Sequence, residues 1–397
     1  MNSERARFLL LNLGHFLDHF FMLVFASAAA LTLIKKWDMS YAELIPYATP
    51  GFVAYAIFSL PSGWLADRWN RDAMMSIFFI GIGLAAIATS FADSPIQIGV
   101  GLTFIGVFAA IYHPVGIALV IEGHSRTGVP LAINGIFGNI GVGSAALITG
   151  FLIDNMSWRA AFILPGLISV AAGVLHHFVS KKIRREERTK DILPAGFSHE
   201  EYSRSIMVRV LVIVFISTAI GGLIFQATTF TLPKVFDERL TDLADSATAI
   251  GWYAFLVFGV AAFGQVIVGW LIDRYSVRNV FVLVAVIQAV IFTIMPGQSG
   301  PNALILSFLF MLAVFGQVPI NDVLVGRVTK NEWRSRVLSV RYVLTFSLTG
   351  LAIPAISWVH GNMGFDALFY FLAGGATLIL LSVILLPRLK SITIPSA

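Results

Sequence analysis

The sequence predicts an all-α polytopic membrane protein, with twelve transmembrane helices arranged as two pseudo-symmetric six-helix bundles. Three observations lead there. Of the 397 residues, 57% are hydrophobic and only 12% charged, whereas a soluble domain carries about a quarter charged residues and under half apolar ones. The apolar residues gather in twelve runs long enough to cross a bilayer. A short motif at the end of the second run returns at the end of the eighth. The composition excludes a soluble enzyme and a disordered chain. With no cysteine, thiol catalysis, disulfides and thiolate metal sites are excluded as well.

A helix crosses the hydrocarbon core with about 20 apolar residues. The runs cover 8–34, 44–66, 73–92, 96–121, 129–153, 159–179, 207–232, 248–272, 278–296, 302–327, 336–359 and 365–387. In lipid only helices or a closed barrel satisfy every backbone polar group, and these runs are too continuous for barrel strands of about ten alternating residues. The first run follows Arg5 and Arg7 and contains Ala26-Ser27-Ala28, which are features of a cleaved signal. Its length, and its interruption by His15, Asp18 and His19, mark it instead as a retained first helix.

The cationic residues set the orientation. With the N-terminus inside, one side receives Arg5, Arg7, Arg68, Arg71, Arg126, the cluster at 181–190, Arg204, Arg209, Arg274, Arg278, Arg327, Lys330, Arg334, Arg336, Arg388 and Lys390. The other receives only Lys35, Lys36, Arg159, Lys234 and Arg239. An excess of this kind marks the cytoplasmic face, so both termini are expected inside, with compact loops suited to a bacterial inner membrane. It also accounts for the net charge of +5 without a nucleic-acid partner.

One long connection divides the chain. Residues 181–206 hold Lys181, Lys182, Arg184, Arg185, Glu186, Glu187, Arg188 and Lys190, then Pro194 and Gly196. This is a solvated linker whose charges anchor at an anionic leaflet, and it separates a bundle at 1–180 from one at 207–397. Gly63-Trp64-Leu65-Ala66-Asp67-Arg68-Trp69-Asn70-Arg71 after the second span is echoed 206 residues later by Gly269-Trp270-Leu271-Ile272-Asp273-Arg274-Tyr275 after the eighth. Pro114 and Pro319 align more weakly in the fourth and tenth spans. The G-x-L-x-D-R-x-x-R loop, its echo, the six-plus-six split and the basic central linker together resemble the major facilitator superfamily of transporters.

That resemblance implies a substrate site near mid-membrane between two halves that rock against each other. The loop also has its own physics. Gly63 permits close helix approach. Asp67 sits at a helix C-terminus, where the helix dipole disfavours a carboxylate, so it gains from an arginine or another helix's N-terminus. Asp67 and Arg68, with Arg71, are therefore expected to hold the cytoplasmic side shut and latch the outward-open form. Gly269, Asp273 and Arg274 form a weaker copy, since Ser276 and Val277 depart from the family pattern.

Ionisable residues at bilayer depth cost at least about 2.5–3.5 kcal/mol each and mark a functional site. His15, Asp18 and His19 fall at i, i+3 and i+4, on one helical face. They lie about 12–18 Å in from the start of the span at 1.5 Å per residue. The fourth span adds Tyr112-His113-Pro114 at similar depth. Gly14-His15-Phe16-Leu17-Asp18 and the aromatic-His-Pro resemble the fosmidomycin-resistance subgroup of drug exporters, although Val115 stands where that subgroup carries an acid nearby. Asn321 and Asp322 in the tenth span and Arg341 in the eleventh share a depth at which an ion pair can form. The fifth span holds Asn134, a substrate- or proton-binding candidate like Asn321 and Asp322, among Gly135, Gly138, Gly141 and Gly143, whose spacing suits helix packing. Gln226, Trp252 and Gln265 are further cavity candidates, and His176 and His177 are discounted as helix-end residues.

These residues leave three readings open. The first is proton-coupled efflux of a drug-like or anionic organic compound, with Asp18, His15 and His19 as proton relay and Arg341 as anion anchor, because a histidine titrates near neutrality. The second is transport of a divalent metal ion by His15, Asp18, His19 and His113, an N/O ligand set. The third is proton-coupled uptake of an organic acid or a sugar through the same groups. No cofactor is expected, and a monomer suffices. No phosphate loop, nucleophile elbow or H-E-x-x-H motif supports an enzyme.

Overall fold

The computed structural model describes residues 3–122, 128–187, 203–329 and 331–387. All regular structure among them is helical. The helices are α1 (Ser3–Lys36), α2 (Tyr41–Arg68), α3 (Arg71–Thr89), α4 (Pro95–Ile121), α5 (Gly128–Asn155), α6 (Ala160–Glu187), α7 (Arg204–Arg239), α8 (Ala247–Arg274), α9 (Val277–Ile294) and α10 (Gly300–Val328). A final run, Asn331–Ile384, is broken at Gly364, whose φ of 75° and ψ of −178° are not helical. Glycine adopts that backbone without a Cβ penalty. The run is therefore two helices, α11 (331–363) and α12 (365–384). Eleven helices among the described residues are long and apolar enough to span a membrane when that last run counts as one. The linker residues Arg188, Lys190, Pro194 and Gly196, together with Arg126, Lys330, Arg388 and Lys390, lie outside the described residues.

Local sequence sets the helix starts. Ser40 and Glu43 form a reciprocal capping box at the head of α2, which satisfies two otherwise orphaned N–H groups. Asn70 caps α3 through Ala73 N–H. Ser94 caps α4 through Gln97 N–H, with Pro95 at the first helical position, where its missing N–H costs nothing. Ser276 caps α9 in the same way.

Two compact units emerge. Unit 1 comprises residues 1–196 together with 230–238 and 244–256; unit 2 comprises 197–229, 239–243 and 257–397. In unit 1, α1 lies against α5 and α3 against α6. Small residues permit both approaches. A Cβ on Gly141 would overlap the backbone carbonyl of Phe16, and one on Gly138 would stand 2.7 Å from His15 Nε2. Across α3 and α6, a Cβ on Gly83 would come within 2.6 Å of the Gly166 carbonyl, and Ser169 donates to the Phe79 carbonyl at 2.7 Å. The Asp154 carboxylate at the end of α5 accepts from Thr248 N–H at 2.7 Å, capping the α8 segment that belongs to this unit. In unit 2, α9 lies against the 331–384 run, and Arg278 donates to the Ile384 carbonyl at 2.7 Å.

The glycines of α5 are not equivalent, and this yields a stability test. Gly141→Leu forces a side chain into backbone and is expected to cost about 1–3 kcal/mol or more. Gly135, around which a Cβ meets nothing within 4 Å, is expected to accept Ala at no cost, with a gain of up to about 1 kcal/mol from helix propensity. Thermal unfolding of detergent-purified variants measures both.

Candidate functional site

The site in unit 1 begins with a defect in α4. Pro114 has no N–H to give the carbonyl four residues back, and its ring crowds that carbonyl. The helix responds by widening to a π turn over Tyr112–Gly116, a feature frequent at functional positions. This turn presents Tyr112 and His113 toward α1. Gly14 on α1 makes room, since a Cβ there would stand 2.9 Å from the Tyr112 ring.

On α1 the i, i+3, i+4 face turns into the protein. Asp18 is 1% exposed and His15 7%, while His19 and His113 are half-buried. The His113 Nε2 lies 3.4 Å from Asp18 Oδ2, and Tyr55 on α2 donates its hydroxyl to the same oxygen at 3.4 Å. The His15 ring stands 4.9 Å from that of His19 and 5.3 Å, edge-on, from that of His113. One ring nitrogen from each of the three histidines lies within 4.8 Å of the others. Four titratable groups from two helices thus share one buried volume.

A hydrogen-bond chain behind the cluster sets its protonation geometry. His15 Nδ1 lies 2.7 Å from the backbone carbonyl of Asn134 on α5. A carbonyl only accepts, so Nδ1 carries a proton and the lone pair of neutral His15 sits on Nε2. The Asn134 side chain donates to Asn12 Oδ1 at 3.0 Å and to the Tyr112 hydroxyl at 2.9 Å. Tyr112 in turn donates to the Leu11 carbonyl at 2.8 Å. Asn134 therefore braces the cluster from behind, its side chain committed to protein partners. Among the described residues, neither His15 Nε2 nor Asp18 Oδ1 has a hydrogen-bond partner, which leaves one basic nitrogen and one carboxylate oxygen able to take a proton or a cation.

Unit 2 carries a different constellation. Arg341 is buried and forms an ion pair with half-exposed Asp322. Asn321 accepts from the Ser217 hydroxyl at 2.9 Å. The Ser217 carbonyl accepts from Gln317 at 3.2 Å, and Gln317 Oε1 accepts from fully buried Gln288 at 2.8 Å. Gln226 is buried, and its side-chain N–H makes no hydrogen bond among the described residues. Gln265 is half-buried. Trp252, in the α8 segment of unit 1, is 49% exposed and meets Phe255 edge-on at 5.9 Å.

The loop residues fall differently from one another. Gly63 faces Pro114, where a Cβ would come within 3.1 Å, so the motif glycine brings α2 onto the π turn of α4. Asp67 accepts from Arg71 at 2.7 Å, and Arg68 lies over the Trp64 ring at 4.4 Å. In the echo, Arg274 lies over Trp270 at 4.1 Å, and Asp273 joins no ion pair among the described residues. Pro319 sits inside an unbroken α-helix, unlike Pro114. One expectation is corrected: His176 is fully buried, at 0% exposure, because α6 turns it onto α3, while His177 is exposed.

Sequence reasoning passed over Asn12, Tyr55, Ser217, Gln288 and Gln317 as site residues, and Tyr112 beyond its place in the motif. Asn12 was detectable, three residues before His15 on the same face. Tyr55, Gln288 and Gln317 are uncharged and carry no spacing signal in the sequence, and only packing reveals their partners.

Comparison with known proteins places these features in context. The family model described as Major Facilitator Superfamily matches residues 11–244 and 215–394. The chain is 23% identical over 383 residues to the gallate transporter of Pseudomonas putida, covering 88% of this chain and 80% of that one. It is 24% identical to the 4-hydroxybenzoate transporter of Pseudomonas aeruginosa, over 72% and 69% of the two chains. Its fold is similar to that of a peptide transporter crystallised with sulfate, at a TM-score of 0.77 and 13% identity over 96% of this chain and 93% of that one. A D-xylose-proton symporter superposes at 0.74 with 14% identity, over 98% and 99%.

The ion pair in unit 2 predicts an asymmetry. Asp322→Asn removes the carboxylate facing a buried guanidinium and is expected to cost about 3 kcal/mol, the low end of the range for a broken buried pair because Asp322 keeps solvent access. Arg341→Gln leaves only a half-exposed carboxylate and is expected to cost under about 1 kcal/mol. Unfolding curves of the two variants and their double test it.

Proposed function

The chain belongs to the Major Facilitator Superfamily and is a transporter of small molecules, and from that premise we propose that its cargo is a small aromatic carboxylate moved together with a proton. The observation that carries this reading is the buried Asp18–His113 pair with His15 and His19 beside it. A carboxylate 1% exposed is expensive to keep charged without a partner, so loading and unloading a proton there is a natural coupling step. Within unit 2, Arg341 is the cation suited to a substrate carboxylate, with Asp322 holding that guanidinium until substrate competes for it. The gallate and 4-hydroxybenzoate relatives support an aromatic acid over a sugar.

The direction of transport follows the gradient. Export of an anionic or drug-like compound would use the same groups as uptake. The same reading takes the protein as a monomer in a bacterial inner membrane, with both termini cytoplasmic and bundles at 1–180 and 207–397. The Asp67–Arg71 and Arg68–Trp64 contacts serve as the loop's resting arrangement, from which it latches one state; Gly269, Asp273 and Arg274 form the weaker copy.

A second reading, a divalent cation as cargo, is favoured by the three clustered histidines. Ligand nitrogens about 2.0–2.1 Å from one tetrahedral zinc would lie about 3.4 Å apart. The observed spread of 4.8 Å would have to close by more than an ångström, so the organic acid is preferred.

Two measurements decide. In proteoliposomes with an imposed pH gradient, labelled 4-hydroxybenzoate and gallate are expected to accumulate. Asp18→Asn should cut that flux by about tenfold or more, equivalent to about 1.4 kcal/mol. Arg341→Gln should raise KM while sparing saturated flux, the sign of a lost binding contact. Wild-type flux in Asp18→Asn would end the proton assignment. In calorimetry, zinc or nickel chloride is expected to give no saturable heat; saturable binding lost in His113→Ala would transfer the site to a cation.

A further inference from the structure

Two polar side chains on α7 in unit 2 are left without partners. Gln226 is 6% exposed and Thr218 5%, and neither Gln226 Nε2 nor the Thr218 hydroxyl makes a hydrogen bond among the described residues. Other buried threonines on this helix satisfy themselves locally. Thr228 donates to the Ile224 carbonyl at 2.8 Å, and Thr229 to the Phe225 carbonyl at 2.7 Å. A buried donor that makes no bond is costly, and more so where lipid supplies no water. Such a group calls for a partner from outside the chain.

Their placement points at Arg341. Gly222 lies midway between them, and a Cβ there would meet Thr345 of α11 at 3.4 Å. Residues four apart share a helix face, so Thr218, Gly222 and Gln226 form one stripe of α7 along α11. The Thr345 hydroxyl donates to the Arg341 carbonyl one turn back, at 3.0 Å. Three spans separate α7 from α11, so the two run in the same direction. Thr218 therefore stands level with Arg341, and Gln226 two turns further along, about 12 Å away at 1.5 Å per residue. The side of α7 toward α10 is already bonded. Ser217 donates to Asn321 there, and a Cβ on Gly221 would stand 2.5 Å from Gln317.

The unpaired amide has aromatic neighbours. Phe225, next to it and half-buried, meets Phe315 of α10 at 5.2 Å, and Phe315 meets Phe258 of α8 at 6.3 Å. A cationic anchor, an aromatic wall and a free amide donor two turns from the charge suit one benzene ring substituted at both ends.

Resting on the aromatic-carboxylate reading above, we propose that Gln226 selects rings hydroxylated opposite the carboxylate. With the carboxylate at Arg341, Gln226 Nε2 donates to the hydroxyl oxygen on the far ring carbon. Thr218 serves the near end, its hydroxyl donating to the carboxylate beside Arg341. A site built to hydrogen-bond a substrate oxygen rejects the analogue that lacks it, because its own polar group is then left unpaired.

The test compares KM in proteoliposomes for labelled 4-hydroxybenzoate and 4-methylbenzoate, rings of similar shape that differ in the acceptor atom. The wild-type KM for the hydroxylated acid is expected to be lower by about tenfold or more, the effect of one unmade buried hydrogen bond. Gln226→Leu is expected to erase that ratio, and Thr218→Val to raise both KM values by the same factor. Should Gln226→Leu fail to fold, Gln226→Met, which keeps the side-chain length, reads the same ratio. A wild-type ratio near one overturns the subsite and leaves the aromatic-carboxylate reading in place, as does a ratio that survives the loss of the Gln226 amide. Transport of neither acid overturns both.

Discussion

The close approach of α1 and α5 is the contact from which the candidate site follows. Glycine at 138 and 141 leaves no side chain between the two backbones, so the Asn134 carbonyl comes within 2.7 Å of His15 Nδ1. That single bond orients the imidazole and places its proton on Nδ1, while Nε2 has no hydrogen-bond partner among the described residues. The Asn134 side chain then ties Asn12 and Tyr112 into the same support. Where lipid offers no water to complete a broken hydrogen-bond set, each of these groups must find its partner in the protein, and this requirement holds the arrangement together.

The two units solve the problem of intramembrane charge in different ways. Unit 2 pairs Arg341 with Asp322 directly, and carries a separate chain of neutral amide and hydroxyl groups through Asn321, Ser217, Gln317 and Gln288. Unit 1 holds a carboxylate against a histidine, a partner whose charge depends on a proton. The first arrangement suits recognition of an anion. The second suits exchange of a proton, because its partners gain and lose charge together.

The signature loop shows how one motif carries two physical jobs. Its glycine lets α2 meet the π turn of α4 at Pro114, which helps to position His113. Its charged residues stay at the surface, with Asp67 on Arg71 and Arg68 over Trp64. The echo after α8 repeats the arginine-on-tryptophan contact but lacks an arginine four residues after its aspartate: Val277 stands in that position. That substitution, visible in the linear pattern, explains why Asp273 has no counterpart to the Asp67–Arg71 pair.

What the amino-acid order alone determined was everything with a one-dimensional signature. The helical class, the spans, the repeat and the shared face of His15, Asp18 and His19 follow from composition and from periodicities of about 20 residues and 3.6 residues. Even the twelfth helix was legible in the apolar pattern, although the backbone runs through α11 and α12 with only Gly364 between them. Tertiary structure alone decided which polar side chains are partners. Asn12 with Asn134, Tyr55 with Asp18 and Arg7 with Asp72 are separated by tens of residues in the chain, and His176 reads as a helix-end residue until α6 is rotated onto α3. Partner choice depends on the rotation and separation of packed helices. Those are set by small residues acting across an interface, and no single helix encodes them.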